Sequence, residues 1–132
     1  MRTAALICLI LPLAGCVPPV SDRSGRALFE DNCVGCHGAG GRGDGPAAAG
    51  LDRQPADLTG IARRNGGTFP MTRVMSVIDG YSRSQHGGQV MPEFGAVLGG
   101  GDTVLADTGD GILTPTPADL VAIAEYLRSI QE

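Results

Sequence analysis

Apolar positions along this chain fall into short helical stripes set between long glycine-rich stretches. In "PMTRVMSVIDG", Met71, Val74, Met75 and Ile78 stand at i, i+3, i+4 and i+7. That spacing makes one stripe on a helix running from about Pro70 to Asp79, with Pro70 suited to its first turn and Gly80 just past its end. "TPADLVAIAEYLRSI" repeats the rhythm with Leu120, Ile123, Ala124 and Leu127; Thr116 reads as its cap, Pro117 as its first helical residue and Asp119 as its capping-box acid. "SGRALFEDNC" predicts a shorter helix from a cap at Ser24, turning Ala27, Leu28 and Phe29 inward and delivering Cys33 at its end. "ADLTGIARRNGG" predicts a helical turn stopped by Gly66-Gly67. Residues 38–55 read as loop, and residues 81–115 as irregular and Gly-rich with a small hairpin across Val104 to Leu113. With no internal repeat and no strong strand run, the pattern implies one small, mainly α domain.

A different apolar pattern opens the chain. "MRTAALICLILPLAGC" has one positive charge, an unbroken apolar run from Ala4 to Leu13, then small residues. The run is far short of the roughly 20 residues of a membrane span but suits an export signal. Its ending, Leu13-Ala14-Gly15-Cys16, resembles a bacterial lipoprotein cleavage box. Residues 1–15 are then a signal peptide that is removed, Cys16 the acylated first residue of the mature chain, residues 16–23 a lipidated tether, and residues 24–132 the folded domain. Acyl chains on Cys16 and its amine would meet the two-anchor requirement for stable attachment. The expected location is periplasmic, on a bacterial membrane, with Val17 leaning toward the outer one.

Composition narrows the chemistry. Formal charge is −4, and loss of residues 1–15 takes Arg2 away, leaving nine basic against 14 acidic side chains, a net of −5. An acidic surface whose only basic run is Arg63-Arg64 excludes a nucleic-acid partner. Aromatics are 4% of residues, Trp is absent and Gly numbers 21, which leaves few large side chains to fill a core. A large, flat, apolar prosthetic group would fill it instead.

"CVGCHG", residues 33–38, supplies the attachment point. Once Cys8 leaves with the signal and Cys16 carries lipid, only Cys33 and Cys36 remain in an oxidising compartment. Zinc would want four ligands, and the only His besides His37 is the isolated His86. A thioredoxin-like pair would want a βαβ pattern, which is missing, and would leave His37 idle. Covalent haem c uses all three residues: two thiols add to the porphyrin vinyl groups, and the adjacent His37 is set under the iron as its proximal ligand. The iron's sixth position has four candidates. Met71 and Met75 already lie on the core stripe. His86 is flanked by glycine in "SQHGGQV". Met91, in "VMPEFG", has Pro92 to stiffen a loop that can hold a thioether, and it is the expected distal ligand.

With "CVGCHG", "GDGPAA", "ADLT", "MPEFG" and a closing helix that carries Tyr126-Leu127, the chain from about Gly25 to Arg128 resembles a class I c-type cytochrome with one haem. The resemblance implies three to four helices packed around that covalent haem, with long Gly-rich loops. It implies that Gly25 and Phe29 of the first helix cross the last helix at Ile123 and Tyr126. It also implies a backbone carbonyl at a Gly-Pro step, here Pro46, that orients His37 through its free ring nitrogen. Residues 95–115 are longer than a minimal member needs, and are expected to cover a haem edge or meet a partner. Asp102, Asp107 and Asp110 in that stretch miss the spacing of a calcium loop and read as solvated turns. Arg63 and Arg64 read either as propionate partners or as a solvated helix face. The implied function is single-electron transfer between redox protein partners. Its rivals are a haem subunit of a larger respiratory complex and a catalytic haem with an open sixth position.

Overall fold

The computed structural model describes residues 24–82, 91–107, 109 and 111–132. The expected signal peptide, Cys16 and the tether, along with His86 and Asp110, lie outside these residues. The described chain runs α1 (Gly25–Asn32), α2 (Val34–His37), a 3-10 turn (Ala48–Gly50), α3 (Ile61–Arg64), α4 (Met71–Asp79), α5 (Gly95–Leu98), β1 (Thr103–Asp107), β2 (Leu113–Pro117) and α6 (Ala118–Ser129). Only α1, α4 and α6 exceed a single turn, so three helices carry the packing of this mainly α domain.

α1 starts where Ser24 Oγ accepts the amide of Ala27 at 3.2 Å, and ends at Cys33, whose amide reaches the Phe29 carbonyl. Its inward residues, Leu28 and Phe29, are fully buried. α1 lies against α6 at very short range. A Cβ placed on Gly25 would sit 2.0 Å from the Ala122 carbonyl oxygen and 3.0 Å from the Tyr126 Cβ, so only glycine permits this crossing. One turn on, the rings of Phe29 and Tyr126 pack with centroids 5.2 Å apart and planes tilted by 48°. The expected meeting of Gly25 and Phe29 with the last helix is thus present, with Ala122 as the residue directly under Gly25.

The stripes of α4 and α6 turn inward as their spacing requires: Val74, Met75 and Ile78 join Leu120, Ile123, Ala124 and Leu127 around Leu28 and Phe29. Met71 packs partly buried on the same cluster, which agrees with a core role for both α4 methionines. Gly80 closes α4 in the left-handed region at φ 103°.

The start of α6 differs from expectation. Thr116 is not its cap. It pairs with Val104 in β2, and its hydroxyl donates to the Thr114 carbonyl. The strand runs directly into the helix at Pro117, and the Ala118 amide is satisfied by the Asp102 carbonyl at 2.8 Å. The described residues of 95–115 also form more regular structure than composition suggests. They hold α5 and an antiparallel hairpin in which Thr103 faces Pro117 and Asp107 faces Leu113. Its inner residues, Val104 and Ala106, border a cleft with Met71, Met75 and Val121; its outer face leaves Leu105 and Leu113 exposed. Asp107 Oδ1 accepts the amides of Gly109 and Gly111 at 2.8 and 3.0 Å, which closes a turn. Among the described residues no helix is long and apolar enough to cross a membrane.

Candidate functional site

The α1–α2 junction presents Cys33, Cys36 and His37 within four successive helical residues and their cap. Cys33 caps both helices, and its carbonyl accepts the amides of Cys36 and His37 at 3.2 and 2.9 Å. One tight turn therefore carries all three side chains. Both cysteines are free and partly buried. Burial pushes the Cys33 thiol up to about 11, with the neighbouring Cys36 adding to the effect. The Cys33 thiol is thus neutral at ordinary pH. Among the described residues there is no group of three or more His, Cys, Asp or Glu that could hold a metal ion.

The loop that follows His37 is laid against α2 by close backbone approaches. The Gly43 amide donates to the His37 carbonyl at 2.8 Å, the Gly45 amide to Cys36 at 3.1 Å and the Ala47 amide to Gly35 at 2.9 Å. A Cβ on Gly45 would lie 2.5 Å from the carbonyl oxygens of both Val34 and Gly35, and one on Gly43 would lie 2.1 Å from the Pro55 oxygen. Side chains at those two positions would push the loop off the helix.

His37 is oriented by a carbonyl, but not at the Gly45-Pro46 step. Its Nδ1 is 3.0 Å from the carbonyl oxygen of Ala56. Pro46 is exposed, in a loop committed through Gly45 and Ala47 to the back of α2. The close packing of Gly43 on Pro55 instead brings the 55–58 backbone under the ring, and the Leu58 amide fixes it by donating to Gly41 at 2.7 Å. The role expected of Pro46 therefore falls to Ala56. The sequence signal was "ADLT", whose Asp57 folds a local turn by accepting the Thr59 amide and hydroxyl at 2.8 and 2.7 Å.

With Nδ1 donating to Ala56, Nε2 is left as the ring's available donor to a metal. Burial lowers the His37 pKa, against the raising effect of the Ala56 carbonyl, so the imidazole is neutral at physiological pH, as a metal ligand must be. Cys33 and Val34 of this turn, with Leu58, Ile61, Phe69 and Phe94, are partly buried and packed on the core cluster. Two free thiols and an oriented imidazole on one turn fit a covalently held apolar prosthetic group: Cys33 and Cys36 would carry its thioethers, and His37 would be a ligand to its metal.

Met91 is 37% exposed and outside the core cluster. Its segment is fastened to the end of α4: the Phe94 amide donates to Ile78 at 3.0 Å, Glu93 packs over Gly80, and Gly95 approaches Asp79 so closely that a Cβ would lie 2.5 Å from its carboxylate. Arg63 and Arg64 are exposed, and Arg64 Nη2 donates to the Asp57 carbonyl at 2.5 Å.

No curated protein and no solved structure matches this chain significantly. A family model does: the description "Cytochrome c" matches residues 23–131, which span the CxxCH turn, the Ala56 segment, the Met91 loop and α6. That match, over a fold of three packed helices with a thiol pair and an oriented histidine on one turn, shows that the chain belongs to the cytochrome c family, a haem-binding electron-transfer protein whose haem c is covalently bound.

Proposed function

We propose that this protein is a class I, monohaem electron carrier, exported in a bacterium and held at a membrane by lipid on Cys16. The observation that carries the reading is the His37 geometry. A neutral imidazole with Nδ1 committed to the Ala56 carbonyl offers Nε2 alone, beside two thiols at thioether spacing. Haem bound there supplies a one-electron Fe(III)/Fe(II) couple. Met91, from the loop fastened to α4, would supply the second protein ligand to the iron, and its soft sulfur would favour the ferrous state and raise the reduction potential. With His37 and Met91 both bound, a small molecule would have to displace one of them to reach the iron. The protein then accepts one electron from a donor protein and passes it to an acceptor, with no bond made or broken. The acidic, lysine-free surface favours partners with a basic docking face or apolar contacts around the haem edge.

The test is the absorption spectrum of the membrane-bound protein, oxidised and reduced. Expected are a low-spin ferric spectrum and the weak near-infrared band of methionine-ligated haem, lost in Met91→Ala while the covalent haem remains. A high-spin or bis-histidine spectrum in the unmutated protein would remove Met91 from the iron and move the reading toward catalysis or sensing. Cys16→Ser should release the protein in soluble form; its retention in membranes would refute the lipid anchor.

A further inference from the structure

Residues that follow α6 fold back onto the segment that orients His37. The Gln131 side chain makes three hydrogen bonds there. Its Nε2 donates to the carbonyls of Leu58 and Leu127 at 2.9 and 2.6 Å, and its Oε1 accepts the Ala62 amide at 2.8 Å. Next to it, the Glu132 amide donates to the Thr59 carbonyl at 2.9 Å, and the Glu132 carboxylate accepts from Arg42. A primary amide carries two N–H donors and a carbonyl acceptor, so Gln131 can bridge residues 58 and 62 while anchored to α6.

The other bonds of this segment cannot do the same. Leu58 to Gly41 and the Asp57 turn tie it to the His37 loop or to itself. Gln131 and Glu132 tie it to the C-terminal end of α6, whose Leu127 and Ile123 lie in the core. Leu58 and Ile61 also pack on the core, but apolar contacts set no backbone direction; without Gln131 the hydrogen-bonded tie from the end of α6 to this segment is reduced to the Glu132 amide on Thr59.

We propose that Gln131 is a positioning residue for the proximal histidine: it holds the 58–62 backbone so that the Ala56 carbonyl stays on His37 Nδ1. The proposal rests on His37 being an iron ligand. An acceptor on Nδ1–H makes Nε2 a stronger donor and favours the ferric iron, so a slackened bond raises the reduction potential.

The experiment compares Gln131→Met, close in size but without the amide, and Gln131→Glu, which keeps only the acceptor for Ala62, with the unmutated holoprotein. Ser24→Ala, which removes the α1 cap and touches no partner of Gln131, is the control for lost stability. Gln131→Met should favour reduction about threefold, about 28 mV at 59 mV per tenfold for one electron, with Gln131→Glu shifted the same way. Hydrogen exchange at His37 Nδ1–H, followed by NMR in the reduced protein, should quicken in both variants and not in Ser24→Ala. Lower melting temperatures with unchanged potential and unchanged Nδ1–H exchange would make Gln131 merely structural and overturn the proposal. Absence of hyperfine-shifted His37 ring signals in the unmutated ferric protein would instead take His37 off the iron, and the proposal would fall with that ligand.

Discussion

Gly25→Ala places one methyl group where the structure has no room for it. The new Cβ would lie 2.0 Å from the Ala122 carbonyl oxygen, 2.6 Å from its carbon and 3.0 Å from the Tyr126 Cβ. These are backbone atoms of a core helix or atoms fixed to it, so no rotamer change gives relief. α1 and α6 must separate by about 1 Å, a gap that forfeits a quarter to a half of the dispersion energy along the contact. Overpacking of this kind costs about 1–3 kcal/mol. Loosening the Phe29–Tyr126 pair adds up to about 1 kcal/mol. Against this, alanine is the better helix former by at most about 1 kcal/mol, and less at the first helical residue, where Gly25 stands. The expected net loss is about 2–3 kcal/mol, or roughly 8–20 °C in melting temperature for a domain of this size.

The assay is urea unfolding of the holoprotein followed by far-UV circular dichroism, with Gly50→Ala as comparison. A Cβ at Gly50 meets nothing within 4 Å and its φ is ordinary, so that variant should stay within about 0.5 kcal/mol of the parent. If Gly25→Ala also unfolds within 0.5 kcal/mol of the parent, the close crossing of α1 and α6 is not what stabilises this fold, and the argument from glycine fails.

Ser24→Ala removes the side-chain acceptor of the Ala27 amide and should cost about 1 kcal/mol, recovered in large part by Ser24→Asp; equal loss in both variants would show that the cap is not the cause. Asp57→Ala leaves the buried Thr59 hydroxyl without its acceptor and should cost about 1–2 kcal/mol at pH 7. The Thr59 hydroxyl and amide hold the Asp57 carboxyl below its usual range. Its contribution is therefore full above the unfolded value near 3.9 and is lost as pH falls through the lower folded value. The gap between parent and variant should narrow below pH 4, and a gap independent of pH would refute the assignment. Cys33→Ala with Cys36→Ala, which cannot hold haem covalently, should leave a largely unfolded chain in a domain this poor in aromatic residues; a cooperative melt would show that the side chains suffice as a core.

What the sequence made legible follows the range of the interactions involved. The stripes of α4 and α6, the Ser24 cap and the Gly80 stop are set by residues within one or two turns, and all are found where the spacing puts them. The CxxCH turn is equally local. Misreadings came where a distant partner decides. Thr116 has every local feature of a helix cap, but pairing with Val104 claims it for a strand, and the carbonyl of Asp102 takes over the helix N-terminus. Pro46 and Ala56 both lie in loops downstream of His37. Choosing between them required knowing that Gly43 packs against Pro55, a contact that no periodicity encodes. Gln131 gave no signal at all, because a polar residue just past a helix is ordinary until its three partners are known.

The two halves of the candidate site are built on different principles. On the His37 side, glycines at 43 and 45 let backbone lie on backbone, and the Ala56 carbonyl is held from the loop by Leu58 and from α6 by Gln131 and Glu132. On the Met91 side, the tie runs through Glu93, Phe94 and Gly95 to the last turn of α4, and Met91 itself is exposed. A ligand fixed by a network of short bonds keeps its orientation when its neighbour moves. One at the edge of a loop depends on the few contacts behind it. Changes that loosen α4 near Ile78 should therefore weaken the methionine side first and leave the histidine side ligated, so the near-infrared band should vanish at lower denaturant than the covalent haem's histidine-ligated spectrum. Simultaneous loss of both signals would mean that the two halves unfold as one unit, and that the tie from Phe94 to Ile78 is no weaker than the clamp around Ala56.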